Sequence, residues 1–518
     1  MTTVVGWVAV VGWAVVAGAS GAVVGLGAAD AAVGWAAGAV VGAEGTAPGE
    51  QATPTVAPTI NVVSQRRQCM RAMIRSPMAV RVVFLEVDTE RAWAVASIGP
   101  GFIGAYLRAH GHEVGFVRAG VDASDDGVVN RVAAEEPDIV GISLTTRQWL
   151  RGRQLIGALR NRLDVPVIAG GLHPTFAPEA VLAAPGFDYL CLGEGEEPML
   201  DLVEALSAQA ATDGIANIWK RGSDRPPLRP PVTPLDRLPF LARDLLDEPL
   251  GTVHMTTQRG CPFCCTYCAA RMYNELYQDT ADYGRRRSHN NVLAELFQLR
   301  EQGRLGYVIF LDDTFTINHS WVMEFCRIYG AEVGAPFSLH ARVETVNERL
   351  LHMLAEAGCR QITYGVESGS ERVRRDIMHR LVTNDRFKQV FRWTREAGIL
   401  LTCNFMLGLP GETRDDLQQT LDLAEELNVL DFGYFVFYPY PGTRLFNVCV
   451  DNGYLPSDYL ERPANHRESI LNLPDLSRDD IGQYYDRFTD LRRRLYQSRY
   501  GEGLSEAVDH VATSARSG

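Results

Sequence analysis

The sequence predicts an α/β protein: a doubly wound, Rossmann-like domain, then a partial (β/α)6 TIM-type barrel, then a C-terminal helical tail. Three observations lead there. From Val80 onward, short apolar runs alternate with segments of helical periodicity. The alternation occurs twice, on either side of a proline-rich stretch. Several helical segments stop at a glycine, the residue that best tolerates the left-handed position after a helix.

Residues 1–77 stand apart. They are rich in Val, Ala and Gly, with Asp30 as the first charge. This reads as a low-complexity extension, with Met73 or Met78 opening the folded region; a disordered tail and a membrane anchor are the competing readings. Residues 78–206 form the first domain. VRVVFLEV (80–87) is a continuous apolar run suited to a buried parallel strand. IGPGFIGAYLRAHG (98–111) has helical spacing, and HEVGFVRAG, DIVGISL, VPVIAGG and FDYLCLGEGE continue the strands. Five strands with helices between them imply right-handed crossovers and a doubly wound parallel sheet. Residues 207–250, with RGSDRPPLRPPVTPLDRLPFLARD, read as an ordered connector.

Residues 251–455 repeat the alternation. The strand candidates are GTVHMTTQRG, LGYVIFLDD, FSLHARVE, QITYGVESG, LLTCNFMLGLPGE and DFGYFVFYPYPGT. Six units suggest a partial barrel with its chemistry at the C-terminal strand ends. Residues 456–518 form the tail, in which LSRDDIGQYYDRFTDLRRRLYQSRYG reads as a helix.

The first strand of this second unit runs into RGCPFCCTYCAAR (259–271), which holds Cys261, Cys264, Cys265 and Cys268. A zinc site would need the adjacent Cys264 and Cys265 as a tetrahedral pair with no spacer between knuckles. A ferredoxin run needs a cysteine where Tyr267 stands. The remaining pattern is C-x3-C-x2-C, using Cys261, Cys265 and Cys268 and leaving Cys264 spare. Three thiolates on a cubane cluster leave one iron open to a small molecule.

At these residues the sequence resembles the radical SAM superfamily, whose first-strand loop carries C-x3-C-x-aromatic-C, with Tyr267 as the aromatic. The resemblance implies a 4Fe–4S cluster on Cys261, Cys265 and Cys268. It also implies S-adenosylmethionine on the open iron and one-electron cleavage of the sulfonium to a 5′-deoxyadenosyl radical. Further motifs match in order. LDDTF (311–315) supplies Asp312 and Asp313, and GVESGS (365–370) supplies Glu367 and Ser368 as ribose or methionyl contacts. MLGLPGE (406–412) brings Gly408 beside the adenine, and PYPGT (439–443) matches the sixth strand end. Arg342 is a candidate for the cosubstrate carboxylate, balanced against a structural salt bridge.

The first domain resembles the cobalamin-binding domain that precedes many such barrels, through GFIGAYLRAHGHEV, PDIVGISLTT, VIAGGLHPTFAPEA and DYLCLGEGE. The resemblance implies that Ser143, Leu144, Thr145, Gly170 and Gly171 border a nucleotide tail. One departure stands out: in the D-x-H-x-x-G register from Asp88, Glu90 replaces the histidine and Trp93 the glycine. Cobalt then lacks an imidazole ligand there, and His173 is expected to shape a turn rather than replace it.

The resulting expectation is an enzyme that methylates an unactivated centre of a small molecule, using cluster, cosubstrate and cobalamin. Radical cyclisation or rearrangement without methyl transfer is the alternative, and a non-catalytic iron–sulfur or corrinoid module is a third class. An electron donor such as a flavodoxin or ferredoxin is implied. The formal charge of −13 speaks against a nucleic-acid partner. Ten cysteines, six of them scattered in apolar contexts, suit a reducing, cytoplasmic compartment without membrane association.

Overall fold

The computed structural model describes residues 79–89, 98–246, 251–279 and 282–500. The expectations for residues 1–77, for Met73 and Met78, for Glu90 and Trp93, and for the chain beyond 500 lie outside the described residues.

The first domain is a six-stranded sheet in the order β2-β1-β3-β4-β5-β6. Its strands are β1 (Arg81–Val87), β2 (Glu113–Ala119), β3 (Ile139–Ser143), β4 (Val167–Gly170), β5 (Tyr189–Cys191) and β6 (Ile218–Lys220). The first five run parallel, and every β1 residue after Arg81 is buried, as expected of a strand covered on both faces. Helices α1 (Ile98–Ala109) and α4 (Glu196–Ser207) cover one face; α2 (Asp125–Ala134) and α3 (Trp149–Arg160) cover the other. The strand order reverses at β1 and β3, so the crevice above their C-terminal ends is where such a sheet takes a ligand. β6 is antiparallel and comes from the proline-rich stretch. Hydropathy does not reveal it, because three residues are too few to show a period.

The second sheet is also six-stranded, in the order β14-β13-β12-β11-β10-β7 and parallel throughout. Its members are β7 (Thr252–Met255), β10 (Tyr307–Phe310), β11 (Phe337–Ala341), β12 (Cys359–Glu367), β13 (Leu400–Leu407) and β14 (Asp431–Val436). A short antiparallel pair, β8 (Gln258–Arg259) with β9 (Arg285–Arg286), brackets the cysteine loop and the helix after it. β7 and β14 are not neighbours in the sheet, so the barrel is partial. Its helices are α5 (Ala269–Tyr277), α6 (His289–Glu301), α7 (His319–Glu332), α8 (Glu348–Glu356), α9 (Asn384–Glu396), α10 (Arg414–Leu427) and α11 (Arg444–Asp451). Ser288, Asn318, Asn347, Thr383 and Thr413 cap α6 to α10 by accepting an N–H three residues on. Each cap contributes about 1 kcal/mol.

The tail helix α12 (Arg478–Tyr500) lies against β13 and β14, with Phe488 5.6 Å from the Phe405 ring and Ile481 buried. Before it, the chain returns to the barrel mouth, where Tyr440 Oη meets His466 Nε2 at 2.5 Å. Among the described residues no helix is long and apolar enough to cross a membrane.

The two domains share an apolar seam, in which Ile98 and Phe102 of α1 pack with Leu241, Leu246, Ile309 and Leu311. A charged bolt sits beside it. Arg259 of the barrel pairs with Glu194 at 2.9 Å and Glu196 at 2.5 Å, both from the turn after β5. Arg285 holds the same Glu194. Burial pushes the Glu194 carboxyl up, but the Arg259 and Arg285 charges more than offset it and hold the group well below the usual carboxylate range.

Candidate active site at the domain junction

The cysteine loop is built on a clamp. β7 delivers the chain to Thr257 and Gln258, whose N–H groups donate to Asp312 Oδ1 at 2.7 and 2.9 Å. Thr257 Oγ1 donates to Asp312 Oδ2 at 2.6 Å. With both carboxylate oxygens engaged and its side chain buried, Asp312 fixes the base of the loop. Gly260 then turns with φ +93°; a Cβ there would lie 3.0 Å from the Tyr283 carbonyl, so the turn requires glycine. Farther along, Thr266 N–H donates to the Met378 carbonyl and its hydroxyl to Ile377, which pins the loop's centre.

Cys261 and Cys265 are buried, Cys268 is half-buried and Cys264 is exposed. Burial, and then the Asp313 charge, push the Cys261 thiol up to about 11. Cys268 is raised further by burial, by Asp313 and by Cys265 and Cys261, so the three thiols share one electrostatic environment. Cys264 instead points to Arg271, whose Nη1 lies 3.6 Å from its sulfur. Among the described residues no group of three or more His, Cys, Asp or Glu is close enough to hold a metal ion. A cubane spreads its thiolates over different irons, so its ligands stand farther apart than those of a single ion. Thiols from one short loop that feel one another's charge fit such a cluster, whose positive irons supply the charge that thiolates here need.

Arg342, after β11, donates from Nη1 to Cys265 Sγ at 3.0 Å. Its Nε and Nη2 engage Glu344 Oε1, and its guanidinium lies 3.8 Å from the centre of the Phe263 ring. Tyr267 neighbours Glu367, a residue held at φ +69° beside a register shift in β12. Between Glu344 and Glu367 sits Arg380, only 2% exposed, at 3.7 and 3.8 Å from their carboxylates. Asp313 lines the open cleft, and burial pushes its carboxyl up to about 6. Ser368 and Gly408 are engaged by the barrel's own packing. The fully buried Ser368 hydroxyl bonds Thr420 at 3.1 Å, and Gly408 packs under Ile481 with its N–H donating to Glu412 at 2.6 Å.

The N-terminal sheet contributes the opposite wall. Ser143, Thr145, Gly170 and Gly171 all line one cleft that also includes Thr256, Gln258, Arg259, Gly260 and Asp313. It encloses about 1400 Å³, open solvent included. Thr145 Oγ1 donates to Gln148 Oε1 at 2.9 Å, whereas the Ser143 hydroxyl has no partner among the described residues. Gly171 has φ +95°, and a Cβ there would meet the Leu144 carbonyl at 2.9 Å. His173 is 1% exposed, its ring lies tilted 4.8 Å from that of Trp149, and burial pulls its pKa down to about 4. It is a core residue that shapes the turn. The glycine-floored edge with an orphan hydroxyl fits a bulky polar cofactor at the switch point. Arg259, Glu194, Glu196, Glu344 and Arg380 are the site residues that sequence reading missed. Glu194 and Glu196 stood in a quoted motif, but nothing in the sequence pairs them with Arg259.

Residues 255–424 match the radical SAM superfamily, and residues 93–203 match the B12 binding domain. The chain is a radical SAM protein with a B12-binding domain ahead of its barrel. It is 28% identical over 400 residues to an uncharacterised methyltransferase of Pyrococcus horikoshii, covering 73% of this chain and 84% of that one. It is 28% identical to an anaerobic magnesium-protoporphyrin IX monomethyl ester cyclase of Rubrivivax gelatinosus, covering 77% and 73%. To the cytidylyl-2-hydroxyethylphosphonate methyltransferase of Streptomyces wedmorensis it is 25% identical, covering 73% and 82%. The fold resembles the radical S-adenosylmethionine methyltransferase TsrM from Kitasatospora setae, solved with cobalamin and a 4Fe–4S cluster. That superposition has a TM-score of 0.60 at 18% identity and covers 79% of this chain and 85% of TsrM. This radical SAM protein thus has the two-domain order and the sheet architecture expected from its motifs.

Proposed function

We propose that this radical SAM enzyme transfers a methyl group from S-adenosylmethionine to an unactivated centre of a small molecule. One observation carries the reading: Arg259 and Gly260, which lead into the cysteine loop, line the same cleft as the C-terminal edge of the B12-binding sheet. A cofactor bordered by the sheet edge and a cluster on the loop would then be near enough for one substrate to meet both.

Cys261, Cys265 and Cys268 would hold the cluster, with Cys264 outside the set. Ser143, Thr145, Gly170 and Gly171 would border the cobalamin, and Tyr267, Asp313 and Glu367 would line the cosubstrate's place. When bound, cluster, S-adenosylmethionine and cobalamin supply one-electron and methyl-carrying chemistry that no side chain has. The chain's own residues position and shield. Asp312 locks the loop base, and Arg259 ties that loop to Glu194 and Glu196 of the other domain. Phe84, Ile98, Phe102 and Met199 line the walls and keep water from reactive species. A low-potential flavodoxin or ferredoxin would supply electrons. A small-molecule substrate rather than nucleic acid, and a cytoplasmic setting, complete the proposal.

The methyltransferase relatives support this reading, while the cyclase relative supports the alternative of radical chemistry without methyl transfer. Anaerobic reconstitution with deuteromethyl S-adenosylmethionine and candidate substrates separates them. Labelled product with both S-adenosylhomocysteine and 5′-deoxyadenosine is the expected result. Deoxyadenosine without methyl transfer indicates cyclisation or rearrangement, and neither coproduct from a loaded protein indicates a binding module.

A further inference from the structure

We infer that Arg342 is a positioning residue for the cluster itself, donating a hydrogen bond to the Cys265 sulfur and thereby raising the cluster's reduction potential. The inference rests on the ligand assignment proposed above. A guanidinium carries five N–H donors in a fixed plane. In Arg342 the Nε and Nη2 side is spent on Glu344 Oε1, and the Phe263 ring lies against the planar face. That leaves Nη1 aimed at Cys265 Sγ, 3.0 Å away.

The aim is set from behind. Glu344 is held 3.7 Å from Arg380, and Arg380 also stands 3.8 Å from Glu367, the neighbour of Tyr267. Two residues of the cysteine loop, Cys265 and Tyr267, are thus held at opposite ends of one buried relay of alternating charge. Arg380, 2% exposed, is its centre. Hydrogen bonds to ligand sulfur and nearby positive charge both stabilise the more negative, reduced form of an iron–sulfur cluster. The relay makes the easier reduction a built property of the loop. It also takes most of the guanidinium's donors away from the cosubstrate carboxylate.

The test is an anaerobic redox titration of reconstituted protein without S-adenosylmethionine, using dithionite as one-electron donor and electron paramagnetic resonance to count reduced clusters. Arg342→Met with full iron and sulfide loading should disfavour reduction about tenfold, a midpoint lower by about 59 mV for one electron. Arg342→Lys keeps the charge, loses the fork on Glu344 and should fall between the two. An unmoved midpoint in Arg342→Met, with weakened S-adenosylmethionine binding, overturns the inference and makes Arg342 a cosubstrate clamp. If Arg342→Met loads no iron, Arg342→Lys carries the test, and a wild-type midpoint there overturns it. Cys265→Ala protein that loads a cluster as well as wild type defeats the ligand assignment instead.

Discussion

Replacing Arg259 with methionine removes the bolt between the domains without opening a large void. Its guanidinium is buried, with the paired carboxylates of Glu194 and Glu196 only 8% and 4% exposed at their side chains. Glu194 keeps Arg285, but Glu196 has no other ion pair among the described residues. Breaking a buried pair by deleting one partner costs about 3–5 kcal/mol, chiefly the price of an uncompensated buried charge. At roughly 2–4 °C per kcal/mol for a domain of this size, the melting temperature should fall by roughly 6–20 °C. Differential scanning calorimetry of the cofactor-free protein measures it. Because the carboxyl of Glu194 is depressed on folding, its contribution is present above the ordinary carboxylate pKa and fades as pH falls below it. The Arg259→Met deficit should therefore be full at pH 7 and shrink toward pH 3. Adding Glu196→Gln should recover about 1–2 kcal/mol, since the stranded charge is gone. A melting temperature within about 2 °C of wild type at pH 7, or a deficit that grows on acidification, would refute the reasoning.

The cysteines offer a paired comparison. Cys265→Ala should lose the visible absorbance and iron of the reconstituted cluster, while Cys264→Ala, at the exposed thiol, should load as wild type; equal loading of the two variants contradicts the three-ligand pattern. Gly408→Ala places a methyl 2.8 Å from Ile481 Cδ1 at φ +82°. It should cost about 1–2 kcal/mol of backbone strain, more if α12 fails to shift, as read by urea denaturation.

Much of the architecture was legible because it is written in local periodicity. β1 reads as buried from its unbroken apolar run, and the helical spacing of IGPGFIGAYLRAHG reads as the helix that covers it. The C-x3-C-x2-C spacing of Cys261, Cys265 and Cys268 was legible because spacing within one loop is a property of the chain itself, and the proposal that these three hold the cluster without Cys264 rests on it.

Other features depend on which distant groups are brought into one low-dielectric pocket. Arg259 and Glu196 are 63 residues apart and Arg342 and Cys265 are 77, and no pattern in either neighbourhood announces the other. Ser368 sits in a motif that suggests a ligand contact, yet burial against α10 commits its hydroxyl to Thr420. Asp312 and Asp313 are adjacent in sequence and both border the cleft, but only Asp312 is committed to the loop base through Thr257 and Gln258. Sequence alone determined the strand and helix alternation, the chemistry of the cysteine loop and its family, because each is encoded within a few neighbouring residues. Only the tertiary structure decided the shared cleft, the bolt at Arg259 and the relay through Arg380, because desolvation and close approach make a charge pair matter: for the cleft and the bolt they arise when the two domains fold against each other, and for the relay when the barrel's own strand ends come together.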